Sequence, residues 1–576
     1  MTSVAERPAP DRVGRGSSPS VIWWYVATIA LGTVLFFAAA LRQPFNQNEI
    51  QQMAPYGSND IGEIVGATRQ PPLDPLAGAL VQHLFGMGQW QQRLVPTLAG
   101  VGTLVVLSLL LVRLGLGRVG AFAILALAIS PLMIRFAAYT RPYSTPVFLI
   151  CLFIYACQRW LLDRRPRWLV LAAATAVALF LTRIPEPAVF LAVTAAVLAW
   201  FALRRRVSWA AAWPIITICA GALLVVGLPM SRLLAEQAAM YANEEGIAAR
   251  IDPGLHHLTT TVLPLMSDWL PWWPLTAAMV LVVLALGDSR RWLFGQWAWW
   301  PSLAAPVVWI IAYLFVSGVD LEAVPYRPRY LYFFLPAFFF VVAALARTVV
   351  RMRGPHRALS MGLAWLLAAC LIGQLPAAAT VVTEDEDPDF GLAAEVLKER
   401  VPDNAIVLYD NPNPIGRYHH PFLGVPRYMG QTPRVLPLTT VSKTPRAVPD
   451  SGPVYLLLLD RKYGATLFRH PEKTWTADVA GWVSEPHGRF VLYRPTKGQS
   501  GKDGVIEAGK EFGQALGPSV GFPESRAAVS VLATTGNRED AYAQLDDMYA
   551  RADPTDDTTR EAIRSVGSHI DWKPDD

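Results

Sequence analysis

Apolar residues occur in long runs through the first two thirds of the chain. A bilayer core about 30 Å thick needs roughly 20 apolar residues as helix. Eleven runs come near that length, at about 21–41, 93–112, 119–137, 143–160, 167–183, 187–203, 209–230, 271–287, 296–316, 330–347 and 358–378. They predict a polytopic α-helical membrane protein with about eleven transmembrane helices. The first run follows an arginine-containing segment and could pass for a signal peptide. Its apolar core is too long for that and more runs follow, so it is read as a retained anchor.

The connections between the runs are unequal. Most are short, but those at about 42–92 and 231–270 are long. The first long connection contains Pro71-Pro72-Leu73 and then an apolar stretch, 75–87, too short to span. It predicts a helix lying at the membrane interface.

After residue 383 the pattern changes. An acidic run, Glu384-Asp385-Glu386-Asp387, precedes a helix-like segment at 391–400 and strand-like runs at Ala405–Tyr409, Val454–Leu459 and Phe490–Tyr493. Short apolar runs between turn signals predict a small α/β domain over 383–497. Residues 498–576 read as a charged tail, partly helical or disordered, residues 21–382 as the transmembrane domain and 1–20 as a terminal tail.

Composition agrees. Of 576 residues 53% are hydrophobic and 16% charged, and the mean hydropathy is +0.31. Soluble domains carry about 25% charged residues, so an ordinary cytosolic enzyme, a disordered chain and a disulfide-rich secreted domain are excluded. Residues 1–383 hold 28 Arg, no Lys and 16 acids, whereas residues 384–576 hold 22 basic and 29 acidic residues. The basic charge therefore belongs to membrane loops and gives no reason to expect a nucleic-acid partner.

Alternate connections (the N-terminal tail, 112–118, 159–167, 204–206, 288–291 and 347–357) hold 18 Arg and four acids. Positive residues favour the cytoplasmic side. The expected topology has a cytoplasmic N-terminus and an extracytoplasmic C-terminal domain in a multi-pass plasma membrane protein. Cys151, Cys157, Cys219 and Cys370 lie in or beside apolar runs with no ligand-like spacing, and read as small core hydrophobes.

The spans are nearly free of charge. Ionisable groups collect instead at the expected outer helix mouths: Glu49, Asp60, Glu63, Arg69 and Asp74, then Arg93, Arg141, Glu186, Asp268, Asp320, Arg327 and Arg329. An ion-coupled transporter would place such groups near the midplane. A site at the outer surface suits a polyprenyl-phosphate sugar, with its tail in lipid, phosphate at headgroup level and sugar in water. Arginine forks match the phosphate, and a carboxylate can take the proton of an attacking hydroxyl. No nucleotide-binding glycine loop is present, and no metal or other cofactor is predicted.

Several segments together resemble a family. Asn48-Glu49 after the first span, Arg69-Gln70-Pro71-Pro72-Leu73, Gln92-Arg93-Leu94-Val95-Pro96, Ser130-Pro131, Tyr139-Thr140-Arg141-Pro142-Tyr143 and Arg329-Tyr330 with Pro336 occur in an order similar to that of GT-C membrane glycosyltransferases. The closest type is the protein-mannosyltransferase and aminoarabinose-transferase type (glycosyltransferase family 39-like), over about residues 20–380.

The resemblance implies inverting transfer of a mannose-like or pentose sugar from a polyprenyl-phosphate donor to a glycan, lipid or protein acceptor on the outer face. It departs from the family at Asn48, where an acid is usual, at Gln70, where His is usual, and at Asp74, where an aromatic residue is common. Glu49 is the expected base, with Asp60 as second acid. Arg141, Arg329 and Arg93 are the expected phosphate contacts, and Tyr143, Tyr139, Tyr330 and Asp74 the expected substrate contacts.

Plainer roles fit several of these residues. Asp60 and Asp74 suit solvated or structural positions, and Arg93 and Arg141 suit interfacial anchors. Trp269–Trp273 and Trp297–Trp300 suit interfacial belts, His256-His257 gives no shared metal site, and His419-His420 could touch substrate. Asn48 favours an alternative reading, a non-catalytic envelope assembly protein that binds a lipid-linked sugar. A transporter is a further alternative.

Overall fold

The computed structural model describes residues 19–229 except 44, 46–48, 50, 51, 69 and 87, then 273–316, 332–352 and 357–383. In the remainder it describes 396, 399–402, 404–409, 434–437, 452–459, 482–487, 490–496, 500, 504, 538–551, 560, 564, 572 and 573. The chain forms two compact units, Met1–Gln43 with Pro55–Glu384, and Pro44–Ala54 with Asp385–Asp576.

The first unit is helical. In chain order its helices are α1 (Pro19–Arg42), α2 (Ile61–Thr68), α3 (Leu73–Phe85), α4 (Gln89–Gln92), α5 (Leu94–Arg113), α6 (Gly117–Ala128), α7 (Pro131–Ala137), α8 (Ser144–Asp163), α9 (Pro166–Phe180), α10 (Pro185–Leu203), α11 (Trp209–Ala222), α12 (Trp273–Ala285), α13 (Gly287–Gly295), α14 (Trp299–Val316), α15 (Leu335–Arg351) and α16 (Arg357–Thr383). Every expected span overlaps helix, and all but the one at 119–137 lie mainly on a single helix. Among the described residues seven helices are long and apolar enough to cross a membrane, and the bent pair α6–α7 makes an eighth.

That pair corrects the expected continuous span at 119–137. The two helices meet at 64°. Ser130 is extended (φ −66°, ψ 124°) and Pro131 opens α7; proline has no N–H to continue the ladder and its ring clashes with the preceding turn. The span expected at 167–183 also ends early, at Phe180, which leaves Arg183 in the connection to α10.

The core runs through the whole bundle, and α15 is its most buried span: Phe339, Ala343, Ala344 and Leu345 are fully or almost fully buried. Outward positions remain apolar, as on α1 (Trp23, Val34) and α16 (Trp365, Ile372), as expected of surfaces that face lipid rather than water. Trp297 and Trp299 do not form the expected interfacial belt. Both are buried, and the Trp297 indole donates to Gln158 Oε1 at 2.6 Å. The four cysteines are free and buried.

Helix ends segregate as an alternating topology requires. At one end the Gln43 amide donates to the Val381 carbonyl (2.5 Å), the Thr97 hydroxyl to Ala137 (2.9 Å), and the Leu73 N–H to Leu181 (2.7 Å). At the other end Arg118 meets Ser20 (2.5 Å), the Trp160 indole meets Ala211 (2.8 Å), and Arg347 pairs with Asp288 (3.0 Å). The second end carries the arginine-rich connections.

In the second unit β1 (Ile406–Tyr409), β2 (Arg434–Pro437), β3 (Val454–Leu459), β4 (Trp482–His487) and β5 (Phe490–Pro495) form one mixed sheet in the order β2-β1-β3-β5-β4. β1 runs parallel to β2 and β3, and β5 antiparallel to β3 and β4. Further along lies α17 (Arg538–Arg551), against which the Trp572 indole donates to Asp546 at 2.8 Å. Most of the segment expected to be helical at 391–400 lies outside the described residues.

Candidate functional site

The site is assembled at the arginine-poor end of the helical unit. The turn between α7 and α8 is Ala138–Tyr143. Its backbone curls tightly, with the Arg141 N–H donating to Tyr139 O and the Tyr143 N–H to Arg141 O, both at 2.7 Å. Pro142, which cannot donate, sits within this curl. The turn is tied to the end of α4, just before α5, since the Thr140 hydroxyl donates to the Gln92 carbonyl at 3.2 Å.

Aromatic rings floor the turn. Phe136 lies 5.0 Å from Tyr143 and 4.9 Å from Tyr332 between ring centroids, and Tyr139 lies 5.9 Å from Tyr143. The Tyr332 hydroxyl and the Ser144 hydroxyl are 3.1 Å apart, and Ser144 donates to Phe136 O at 2.6 Å. Arg141, within the same turn, is half-buried. Tyr139 and Tyr143 thus lie with Arg141, as their spacing implies.

Arg93 takes a different place. It is almost fully buried, and its guanidinium donates to the carbonyls of Ala40 and Gln43. These belong to the C-terminal end of α1, where carbonyls lack intrahelical partners and a cation is favoured. Gln89 also donates to Gln43 O. Asp60 is exposed and caps α2, accepting from the Gly62 N–H at 2.7 Å, while Glu63 accepts from the Ser58 hydroxyl at 2.5 Å. An N-cap acid with a glutamate three residues on is a common helix start.

α3 matches the helix expected at 75–87. It buries Asp74, Pro75, Gly78 and Ala79 and exposes Leu80, Leu84 and Phe85, an apolar outer stripe suited to the interface. The Tyr56 ring packs on Gly78.

Asp74 is buried, and its Oδ1 accepts from the Thr145 hydroxyl at 2.6 Å. Burial pushes its carboxyl up from 3.8 to about 6, against the Thr145 hydrogen bond and the charge of Arg183, which both pull it down. Arg183 bonds Glu186 across the start of α10 and lies over the Tyr143 ring at 5.1 Å and the Phe333 ring at 5.6 Å.

Glu186, Arg183 and Thr145 were not expected beside Asp74. Their signal in the sequence is slight: an Arg and a Glu three apart at a span end, and an acid followed directly by proline at both Asp74-Pro75 and Glu186-Pro187.

Glu49 is fully buried and belongs to the other compact unit, with Pro44–Ala54. Asn48, Arg69, Arg327, Arg329, Tyr330, His256-His257 and His419-His420 lie outside the described residues. No group of three or more metal-ligating side chains occurs among the described residues.

Fold and site define a polytopic helical membrane protein with an arginine and aromatic site at one end of its bundle. Residues 69–230 match the family described as dolichyl-phosphate-mannose-protein mannosyltransferase. Over this segment, which holds α3, the 138–143 turn and Arg183–Glu186, the chain is similar to the family-39 type of GT-C membrane glycosyltransferase.

Among solved structures the chain is similar to ArnT from Cupriavidus metallidurans in the apo state, with 16% identity and a TM-score of 0.46, covering 82% of this chain and 98% of that one. It is similar to the same protein bound to undecaprenyl phosphate, with 15% identity, a TM-score of 0.47 and the same coverage. The Archaeoglobus fulgidus oligosaccharyltransferase in complex with Zn and sulfate shares 13% identity and a TM-score of 0.41, covering 95% of this chain and 86% of that one. No curated protein matches.

Proposed function

We propose that this chain is an inverting glycosyltransferase. It transfers a sugar from a polyprenyl-phosphate donor to a glycan, lipid or protein acceptor at the extracytoplasmic face of the plasma membrane. The observation that carries the reading is the Tyr139–Tyr143 turn, which sets the half-buried Arg141 between two neighbouring tyrosines at a helix-bundle end, inside the segment that matches the mannosyltransferase family.

In this reading Arg141 and Arg329 hold the donor phosphate. Glu49 takes the proton of the acceptor hydroxyl as its oxygen attacks the anomeric carbon. The bond from that carbon to the phosphate oxygen breaks, the arginines offset the charge that develops on the phosphate, and polyprenyl phosphate leaves. One displacement inverts the anomeric centre. Tyr139, Tyr143 and Tyr330 line the path of the sugar, and Arg93 acts on α1 as a positioning residue.

Purified protein incubated with polyprenyl-phosphate mannose and pentose donors, radiolabelled in the sugar, tests the reading. Transfer to membrane acceptors is expected, with Glu49→Gln abolishing turnover but keeping lipid binding, and Arg141→Ala weakening donor affinity. Full turnover by Glu49→Gln removes that residue from the mechanism, and unchanged donor affinity in Arg141→Ala removes the phosphate contact. Asn48, an amide that cannot act as a base, favours a second reading in which the chain binds the lipid-linked sugar without transferring it. Binding without turnover by the unaltered protein is its mark.

A further inference from the structure

Two buried carboxylates near Arg141 have oxygens with no partner. Asp74 is 6% exposed and Glu186 is 5% exposed. Asp74 spends Oδ1 on Thr145 and Glu186 spends Oε1 on Arg183, which leaves Asp74 Oδ2 and Glu186 Oε2 buried without hydrogen bonds. An ionised carboxylate can only accept, and leaving a buried acceptor unmet is costly. Such groups in a native fold call for an explanation.

Local sequence accounts for the missing donors. Each acid is the second residue of its helix, in α3 after Leu73 and in α10 after Pro185. Helix N-termini offer free N–H groups that quench such acids. Here the next residue is Pro75 in one helix and Pro187 in the other, and proline has no N–H. The helix dipole still favours a negative charge at both places. The result is two acids held in place, charge-supported and only half satisfied.

The cluster counts two carboxylates against one guanidinium, so it repels phosphate and attracts hydrogen-bond donors. Arg183 connects it to the Tyr143 ring, and Tyr143 is bonded through its backbone to Arg141. Through Arg183 the acidic cluster therefore reaches the turn that carries Arg141, so acceptors for hydroxyls adjoin a cation for phosphate, as a ligand with a phosphate next to hydroxyls requires. We propose that Asp74 and Glu186 form the subsite that accepts hydrogen bonds from the hydroxyl groups of a neutral sugar, distinct from the arginine contact to its phosphate. This rests on the polyprenyl-phosphate-sugar reading given above and names how the sugar itself is held.

The test compares binding of undecaprenyl-phosphate mannose, undecaprenyl-phosphate arabinose and bare undecaprenyl phosphate to the full chain and to Asp74→Asn and Glu186→Gln. The unaltered protein is expected to bind at least one sugar-bearing lipid more tightly than the bare one. Each substitution should cut that preference about tenfold to hundredfold, since it weakens charge-assisted hydrogen bonds, and should not lower affinity for the bare lipid, because it also removes a charge that repels phosphate; that retained affinity reports an intact fold. Preference retained in both variants, or affinity for bare and sugar-bearing lipid falling equally, overturns the subsite. Bare-lipid binding by the unaltered protein with no preference for either sugar overturns the subsite but leaves the lipid reading standing. Binding of none of the three lipids overturns both.

Discussion

Replacing Asp74 by asparagine should change how the stability of the protein depends on pH. The folded carboxyl ionises near pH 6, against 3.8 for an ordinary aspartate, because burial outweighs the Thr145 hydrogen bond and Arg183. Between these values the folded chain holds a proton that the unfolded chain has released. Stability therefore falls as pH rises from about 4 to about 6 and levels off above about 7. The full excursion is worth about 3 kcal/mol.

Asparagine keeps an acceptor for the Thr145 hydroxyl and does not titrate. Any cost of its unpaired NH2 is the same at every pH. The variant's stability relative to the parent should therefore climb by about 2 kcal/mol between pH 4.5 and 8, or about 2 °C in apparent melting temperature for a protein of this size. Thermal unfolding in detergent, followed by tryptophan fluorescence at steps from pH 4.5 to 8, measures it. Two curves that run parallel across that range would refute a buried, titrating Asp74.

Other substitutions separate structure from chemistry. Arg93→Met should strand the carbonyls of Ala40 and Gln43 and cost about 2 kcal/mol of stability, with donor phosphate affinity little changed in the variant that folds. A melting temperature equal to that of the parent would show that Arg93 does not anchor α1. Gly78→Ala sets a methyl against the Tyr56 ring, which overpacks the underside of α3 at about 1–3 kcal/mol. An unperturbed melting curve would mean that Tyr56 moves aside freely.

The transmembrane layout was legible because hydropathy acts over whole runs. A helix stands at every expected position. The break at Pro131 was visible as Ser130-Pro131, but the continuous apolar pattern on both sides masked it. In the second unit β1, β3 and β5 announce themselves as apolar runs. β4 (WVSEPH) and β2 (RVLP) do not, since strands at the margins of a sheet tolerate charge and proline.

The site was legible only in part. Arg141, Tyr139 and Tyr143 are contiguous, so their turn could be read from one motif. Asp74 could be singled out as a departure from a family pattern. Its partners Thr145, Arg183 and Glu186 come from three other places in the chain, and only helix packing brings them to it. The early end of α9 at Phe180 is what frees Arg183 to reach Tyr143, and no apolar pattern encodes that end.

The burial of all four native thiols makes the protein its own blank for site-directed labelling. A single cysteine at the exposed Asn59 or at the exposed Arg290, on opposite ends of the bundle, becomes the one reactive handle for a membrane-impermeant maleimide. Intact cells that tag the first and spare the second would fix which way the molecule faces, with no background to subtract.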